Sequence, residues 1–187
     1  MAVEYAPRPL PVAGNLATKR LVLRPFRLSD GAAVEAMAGD FDVAKMLDVV
    51  PFPYPEGAAA KWIATHEQGR AANQEWPFAI EKDGVLTGCV GLNRETDGLL
   101  HLGYWIGKPH WGQGIATEAA RAALAFAFDE IGELEVKSGH YADNHASGRV
   151  MTKLGFRYAK ESMRFSKARG HAVRFLDTRM KRENFRR

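Results

Sequence analysis

"GYWIGKPHWGQGIATEAARAALAFAF" (Gly103–Phe128) passes from an apolar strand through a proline and two spaced glycines into an alanine-rich helix. Pro109 cannot donate to a β-ladder and ends the strand. Gly112 and Gly114 let the backbone turn sharply and approach a ligand with no Cβ in the way. From Gln113 to Thr117 the opening helical turn leaves N–H groups unpaired, with the positive end of the helix dipole facing out. A join of this kind suits a phosphate.

The familiar phosphate motifs do not match this spelling. A P-loop needs Gly-Lys-Ser/Thr entering the helix, whereas Lys108 precedes the glycines. The dinucleotide fingerprint needs a third small residue at a fixed offset inside a βαβ unit. Gly112-Gln113-Gly114-Ile115-Ala116-Thr117 has threonine at that position. On these residues alone, the alternative is a glycine-rich connection that packs a helix onto a sheet.

Outward from this stretch, the chain of 187 residues is one domain's worth of core. Its composition, 46% hydrophobic and 26% charged, is that of a globular protein. No apolar run approaches the roughly 18 residues of a membrane span. The N-terminal "MAVEYAPRPLPVAGN" carries prolines and an acid where a signal peptide needs an apolar run, so the cytoplasm is the expected compartment. The single cysteine, Cys89, excludes an internal disulfide and a cysteine-based zinc cage. Of the net charge of +4, the last seven residues, KRENFRR, carry +3. A charge excess held in a tail argues against a nucleic-acid partner.

Residues 1–17 read as a loose arm, 18–182 as the folded domain and 183–187 as a basic tail. "RLVLRPFR" (20–27) alternates as a half-buried strand does, and Ser29 and Asp30 can cap a helix running to about Gly39. The proline-broken "PFPYPEG" (51–57) is a loop before a second helix over 57–72, with Trp62 and Ile63 on its apolar face. "WPFAIEK" and "VLTGCVGLNRE" flank Asp83-Gly84, a hairpin signal. A third strand covers about 100–107, the long helix 114–129 and a further strand 134–141. A short helix near 145–153 and strands near 156–166 and 171–181 complete an α+β order around a mostly antiparallel sheet.

Two blocks carry a family resemblance. "WGQGIATEA" (111–119) resembles the acyl-CoA pyrophosphate loop of the GCN5-related N-acetyltransferase (GNAT) superfamily, Gln/Arg-x-x-Gly-x-Gly/Ala, with Gly114 and Ala116 at the small positions. Trp111 stands where the pattern has Gln or Arg, a departure shared with the RimJ/RimL branch, which acetylates ribosomal-protein N-termini. "DNHASGRVMTKLGF" (143–156) is similar to that branch's Asn-x-x-Ser-x-Arg-Val-x-x-Lys-Leu-Gly-Phe. The resemblance covers roughly residues 18–182, and "PYPEGAAAKWI" (53–63) resembles the branch's substrate-side loop and second helix.

The resemblance implies a three-layer α/β/α fold with a mixed, mostly antiparallel central sheet. It also implies acetyl transfer from acetyl-CoA to a primary amine in a ternary complex, without a metal. The backbone of Trp105, Ile106 and Gly107 would pair with the pantetheine arm and polarise the thioester carbonyl. Amides of Gly112, Gln113, Gly114, Ile115, Ala116 and Thr117 would take the pyrophosphate. Asn144 would bond the cofactor arm or the active-site backbone, or cap the helix that follows it. Many superfamily members have a tyrosine at the position of Met151, so the proton for the departing thiolate is assigned to Ser147. His101 stands where related sequences carry a glutamate and is the candidate base. Cys89 reads as packing, and Trp62, Phe52 and Tyr54 are candidates for the acceptor wall. The acceptor is a protein N-terminus or a small amine, and a homodimer is compatible with the pattern. The alternative function is a non-catalytic acyl-CoA-binding module.

Overall fold

The computed structural model describes residues 14–186. Eight strands form one sheet in the order β1-β2-β3-β4-β5-β6-β8-β7. The strands are β1 (Leu16–Ala17), β2 (Leu21–Arg24), β3 (Glu75–Lys82), β4 (Val85–Arg94), β5 (Leu100–Ile106), β6 (Glu135–Tyr141), β7 (Arg157–Ser166) and β8 (His171–Lys181). Every neighbouring pair is antiparallel except β5 and β6. Five helices cover the sheet: α1 (Gly31–Ala38), α2 (Phe41–Ala44), α3 (Ala58–Ala71), α4 (Ile115–Ala125) and α5 (His145–Leu154). This is the mixed, mostly antiparallel sheet flanked by helices that the sequence leads one to expect.

Side-chain chemistry explains the layers. The interior strand β3 is apolar on both faces because helices cover both. Its hairpin to β4 turns at Asp83 (φ 53°) and Gly84 (φ 76°), the pair of positive φ angles a two-residue turn needs. The small side chains of Ala119, Ala120 and Ala123, all fully buried, bring α4 close to the sheet. That face forms the larger core with Leu102, Ile106, Met151 and Leu154. The opposite face forms a second core, in which α1 and α3 contribute Val34, Ala59 and Ile63 around Ala79 and Cys89.

Differences from the expected elements have local causes. Residues 1–13 of the expected arm lie outside the described residues, while Leu16–Ala17 pairs with β2. The Asp30 carboxylate accepts from Arg24 at 2.7 and 2.9 Å and from the Arg27 N–H at 2.7 Å, rather than capping α1. After Ala125 the long helix continues in π geometry over Phe126–Ile131. Toward the C-terminus, Arg182–Asn184 forms a short 3-10 turn that seats the Phe185 ring 5.2 Å from that of Phe128.

Candidate active site

The parallel join of β5 and β6 is short. Only Leu100–Val136 and His101–Lys137 pair, and beyond them the two strands diverge. The Ser138 hydroxyl donates to the Leu102 carbonyl at 2.8 Å where they part. A cleft of about 980 Å³ runs through the opening. Its lining includes residues 101–106 of β5, 138–141 of β6, the loop 110–117, the start of α5 and the segment 42–48.

The glycine loop forms one end. Gly112 (φ 74°) and Gly114 (φ 76°) both adopt the left-handed conformation that L side chains resist. The bond from Glu118 N–H to the Gly114 carbonyl (3.1 Å) closes the first turn of α4. The preceding N–H groups, through Thr117, form the open ring of a helix start. Arg20 braces the loop from outside, donating to the Gln113 carbonyl at 3.0 Å and pairing with Glu118 at 2.7 Å. Lys82 donates to the Gln113 side chain at 3.0 Å. Trp111 donates its indole N–H to the Ile106 carbonyl at 2.7 Å, fastening the loop to the end of β5. The residues present thus fit a diphosphate: converging N–H groups, a helix dipole, two nearby cations and no Cβ on the inner turn.

The backbone of β5 is oriented differently from the expectation for Trp105, Ile106 and Gly107. The Gly107 N–H bonds the Thr87 carbonyl at 2.9 Å, on the β4 side. Strand alternation then turns Trp105 toward β4 as well, and Tyr104 and Ile106 toward the opening. Because the Ile106 carbonyl is taken by Trp111, the groups facing the cleft are the Tyr104 peptide and the Ile106 N–H.

His101 and Ser147 both line the cleft. His101 projects from the face of β5 opposite Leu102, and its buried Nε2 has no hydrogen-bond partner. Burial holds its pKa below the usual histidine value. Glu95 and Asp48 draw it up and Arg164 and Lys137 press it down. The ring is therefore neutral at neutral pH, with a lone pair available to a proton. Ser147 sits in the first turn of α5, its backbone N–H donating to Asn144 Oδ1 at 3.1 Å. Asn144 thus acts as the N-cap of α5 while it lines the cleft.

Other expectations shift. Phe52, Tyr54 and Trp62 do not line the cleft. Trp62 and Tyr54 pack in the second core, and the Phe52 ring lies tilted against that of Phe41, 4.9 Å between centroids. Met46, Leu47, Asp48 and Arg164 are among the residues that do line it. Cys89 is buried outside the cleft, with its thiol pKa pushed up by burial. No group of three or more His, Cys, Asp or Glu side chains suited to a metal occurs among the described residues. Nor is any described helix long and apolar enough to cross a membrane. Tyr104, Asp48 and Arg164 were not singled out in the sequence, because nothing local to them signals a site.

A family model described as "Acetyltransferase (GNAT) domain" matches residues 20–157, spanning the glycine loop, the divergent strands and α5. The chain belongs to the GNAT acetyltransferase family. This GNAT N-acetyltransferase is similar to a curated N-acetyltransferase, p20, of Bacillus licheniformis. The two are 26% identical over 175 residues, covering 90% of this chain and 97% of p20. Among solved structures, Mycobacterium smegmatis RimJ in complex with CoA-disulfide superposes with a TM-score of 0.78 at 23% identity. The match covers 87% of this chain and 82% of RimJ. RimL, a ribosomal L7/L12 α-N-protein acetyltransferase in complex with coenzyme A, superposes with a TM-score of 0.79 at 16% identity. That match covers 89% of this chain and 97% of RimL.

Proposed function

We propose that this enzyme moves the acetyl group of acetyl-CoA directly to a primary amine, with a protein N-terminal α-amine as the favoured acceptor. The observation that carries the reading is the cleft through the sheet, which has His101 on one face and Ser147 at the start of α5. The donor would lie with its diphosphate on the amides of Gly112–Thr117 and its arm along Tyr104 and Ile106. The acceptor nitrogen would arrive from the side of residues 42–48.

His101 takes a proton from the amine, directly or through water, and leaves a lone pair to attack the thioester carbonyl. The C–N bond forms, the C–S bond breaks, and Ser147 offers its proton to the departing sulfur. The acetylated nitrogen then gives up its surplus proton, which restores Ser147 directly or through water, and His101 releases its own proton to solvent. Much of the acceleration comes from holding the two reactants together, worth several kcal/mol and up to about 11. Direct transfer is supported by Cys89, which lies outside the cleft as a protonated thiol and is no acyl carrier.

The α-amine assignment rests on the likeness to the RimJ and RimL structures. The test is thiol release from acetyl-CoA with three acceptor sets: peptides with free Ser or Ala N-termini, the same peptides N-terminally blocked, and polyamines. Turnover with the free peptides alone supports the assignment. Turnover confined to polyamines overturns it while leaving acetyl transfer intact.

A further inference from the structure

His101 shares its sheet face with a charged cluster beyond the opening. Lys137 pairs with His101, and Gly139, two residues along β6, pairs with Asp177 of β8, so Asp177 and His101 lie on one face. The Ser162 hydroxyl donates to Asp177 at 2.6 Å, and Arg164 donates Nη2 to the same carboxylate at 2.9 Å. The Arg164 guanidinium sits over the Phe175 ring, 4.0 Å from its centroid, which holds its plane. The bond to Asp177 is the one hydrogen bond this guanidinium makes among the described residues, although it carries five N–H donors. Its Nη1 looks across 3.8 Å to the Asp48 carboxylate, too far for a hydrogen bond. Arg164 and Asp48 both line the cleft. The main chain of Asp48 is held by the Lys167 N–H at 3.1 Å, while its half-exposed carboxylate has room to swing aside.

We propose that Arg164 determines acceptor specificity: its Nη1 donates to the carbonyl oxygen of the acceptor's first residue and so selects an α-amine beside a neutral carbonyl. The proposal rests on the reading that the acceptor is a peptide N-terminus. In such an acceptor the nitrogen and the carbonyl carbon share one Cα, so the oxygen arrives at a fixed spacing from the amine. A polyamine or a lysine side chain brings no oxygen at that spacing. Charge then separates a peptide from a free amino acid. Asp48 and Asp177 flank one guanidinium, which leaves these three groups with a net negative charge. An ammonium is drawn toward them, and a neutral carbonyl can take the open Nη1 donor. A free carboxylate would meet Asp48 and is repelled. The balance on His101 agrees, since Asp48 draws its pKa up and Arg164 presses it down, as groups sharing one compartment do.

The test compares four acceptors at saturating acetyl-CoA: a serine-led peptide, serinamide, free serine and serinol, in which CH2OH replaces the carbonyl group. The wild type is expected to use the peptide and serinamide about tenfold better, in kcat/KM, than serine or serinol. Arg164→Lys keeps a cation for Asp177 but cannot hold that carboxylate and a carbonyl together. It is expected to raise KM for the peptide and serinamide about tenfold, the scale of one charge-assisted hydrogen bond. The kcat, the acetyl-CoA KM and the serinol rate are expected to stay within about twofold. Asp48→Asn removes the repulsion without touching Asp177, and is expected to raise kcat/KM for free serine about tenfold relative to serinamide. A merely structural Arg164 would slow all four acceptors together, and that equal loss would overturn the proposal. So would a wild type that does not separate serinamide from serinol. If a melting curve shows Arg164→Lys unfolded, Asp48→Asn decides alone, and an unchanged preference against free serine overturns the proposal. Wild-type turnover confined to polyamines would overturn the α-amine reading, and the proposal with it, before any variant is made.

Discussion

Arg169 bonds the Asp143 carboxylate at 2.7 Å, and the same guanidinium donates to the Lys45 carbonyl at 2.6 Å. One side chain from the β7–β8 turn thereby joins the segment after α2 to the loop that opens α5. Its plane lies over the Tyr141 ring, 5.1 Å from the centroid, which fixes the fork. The bonds from Lys167 N–H to the Asp48 carbonyl (3.1 Å) and from Ser166 to the Leu47 carbonyl (3.5 Å) secure the same wall.

Removing this clamp is expected to loosen the acceptor wall and leave the donor loop intact. Arg169→Ala should raise the acceptor KM about tenfold and change acetyl-CoA affinity by less than about twofold. Steady-state kinetics with both substrates varied make the comparison. An equal loss for both substrates would mean that the clamp supports the whole cleft.

The glycine loop is tested by ligand-linked stability. Acetyl-CoA at about 100 times its dissociation constant should add about 2.7 kcal/mol to the folded state. Gly114→Val should abolish the melting shift, because valine resists φ 76° and would distort the first turn of α4. A folded Gly114→Val protein with a normal shift would place the diphosphate elsewhere.

His101 sets an expectation for pH. Its burial lowers the pKa, so the protonated ring appears only below the usual histidine range of about 6.5. The acidic limb of kcat/KM should therefore fall below about pH 6.5, and His101→Ala should remove it together with about 10²–10⁴-fold of the rate. A limb that persists in His101→Ala would assign the titration to another group.

Asn144 and Ser147 separate capping from chemistry. Asn144→Ala should cost about 0.5–2 kcal/mol of stability, since it loses the α5 cap. Ser147→Ala keeps the backbone N–H that the cap uses. It should leave the melting temperature nearly unchanged while turnover falls about ten- to a thousandfold. Melting curves and rates on both variants would expose a reversed pattern.

His66 is a stability group away from the cleft. It is almost wholly buried between Phe26 and Trp62, neither ring nitrogen has a hydrogen-bond partner, and its pKa falls to about 4 through burial and the nearby Arg70. The unfolded chain binds the His66 proton near pH 6.5 and the folded one only near pH 4. Stability from this group is thus complete above about 6.5 and declines as pH falls toward 4, by at most about 3 kcal/mol. His66→Leu should flatten denaturant midpoints over that window. An equally steep decline in the variant would point to other groups.

Much of the architecture was readable because its signals are local. Glycine spacing before an alanine-rich run marks the turn into α4, Asp83-Gly84 marks a hairpin, and Asn144 three residues before Ser147 marks a helix start. Nothing local marks Tyr104 or Arg164. The significance of each lies in what faces it across the fold, and strand alternation alone does not show whether a hydroxyl has found a partner. The divergence of β5 from β6 was equally hidden, since both segments have the apolar pattern of continuous strands. Trp111 looked like a departure from a motif, and its reason appears only when the indole meets the Ile106 carbonyl. The short pairing of Leu16–Ala17 needed β2 as a template, and the ring of Phe185 needed Phe128.

The opening between β5 and β6 has a further consequence for how this protein can change. Along that edge, the groups offered to a ligand belong to the main chain at Tyr104 and Ile106, and every amino acid but proline supplies the same N–H. An alanine scan would therefore leave these main-chain groups in place. Gly103 immediately precedes Tyr104 on the same strand, and a Cβ there would meet no other atom within 4 Å. On the proposed reading, the segment 42–48 and Arg164 are free to vary with the acceptor while this main-chain track stays the same. Proline at Tyr104 or Ile106, not alanine, is the substitution that would reveal the track.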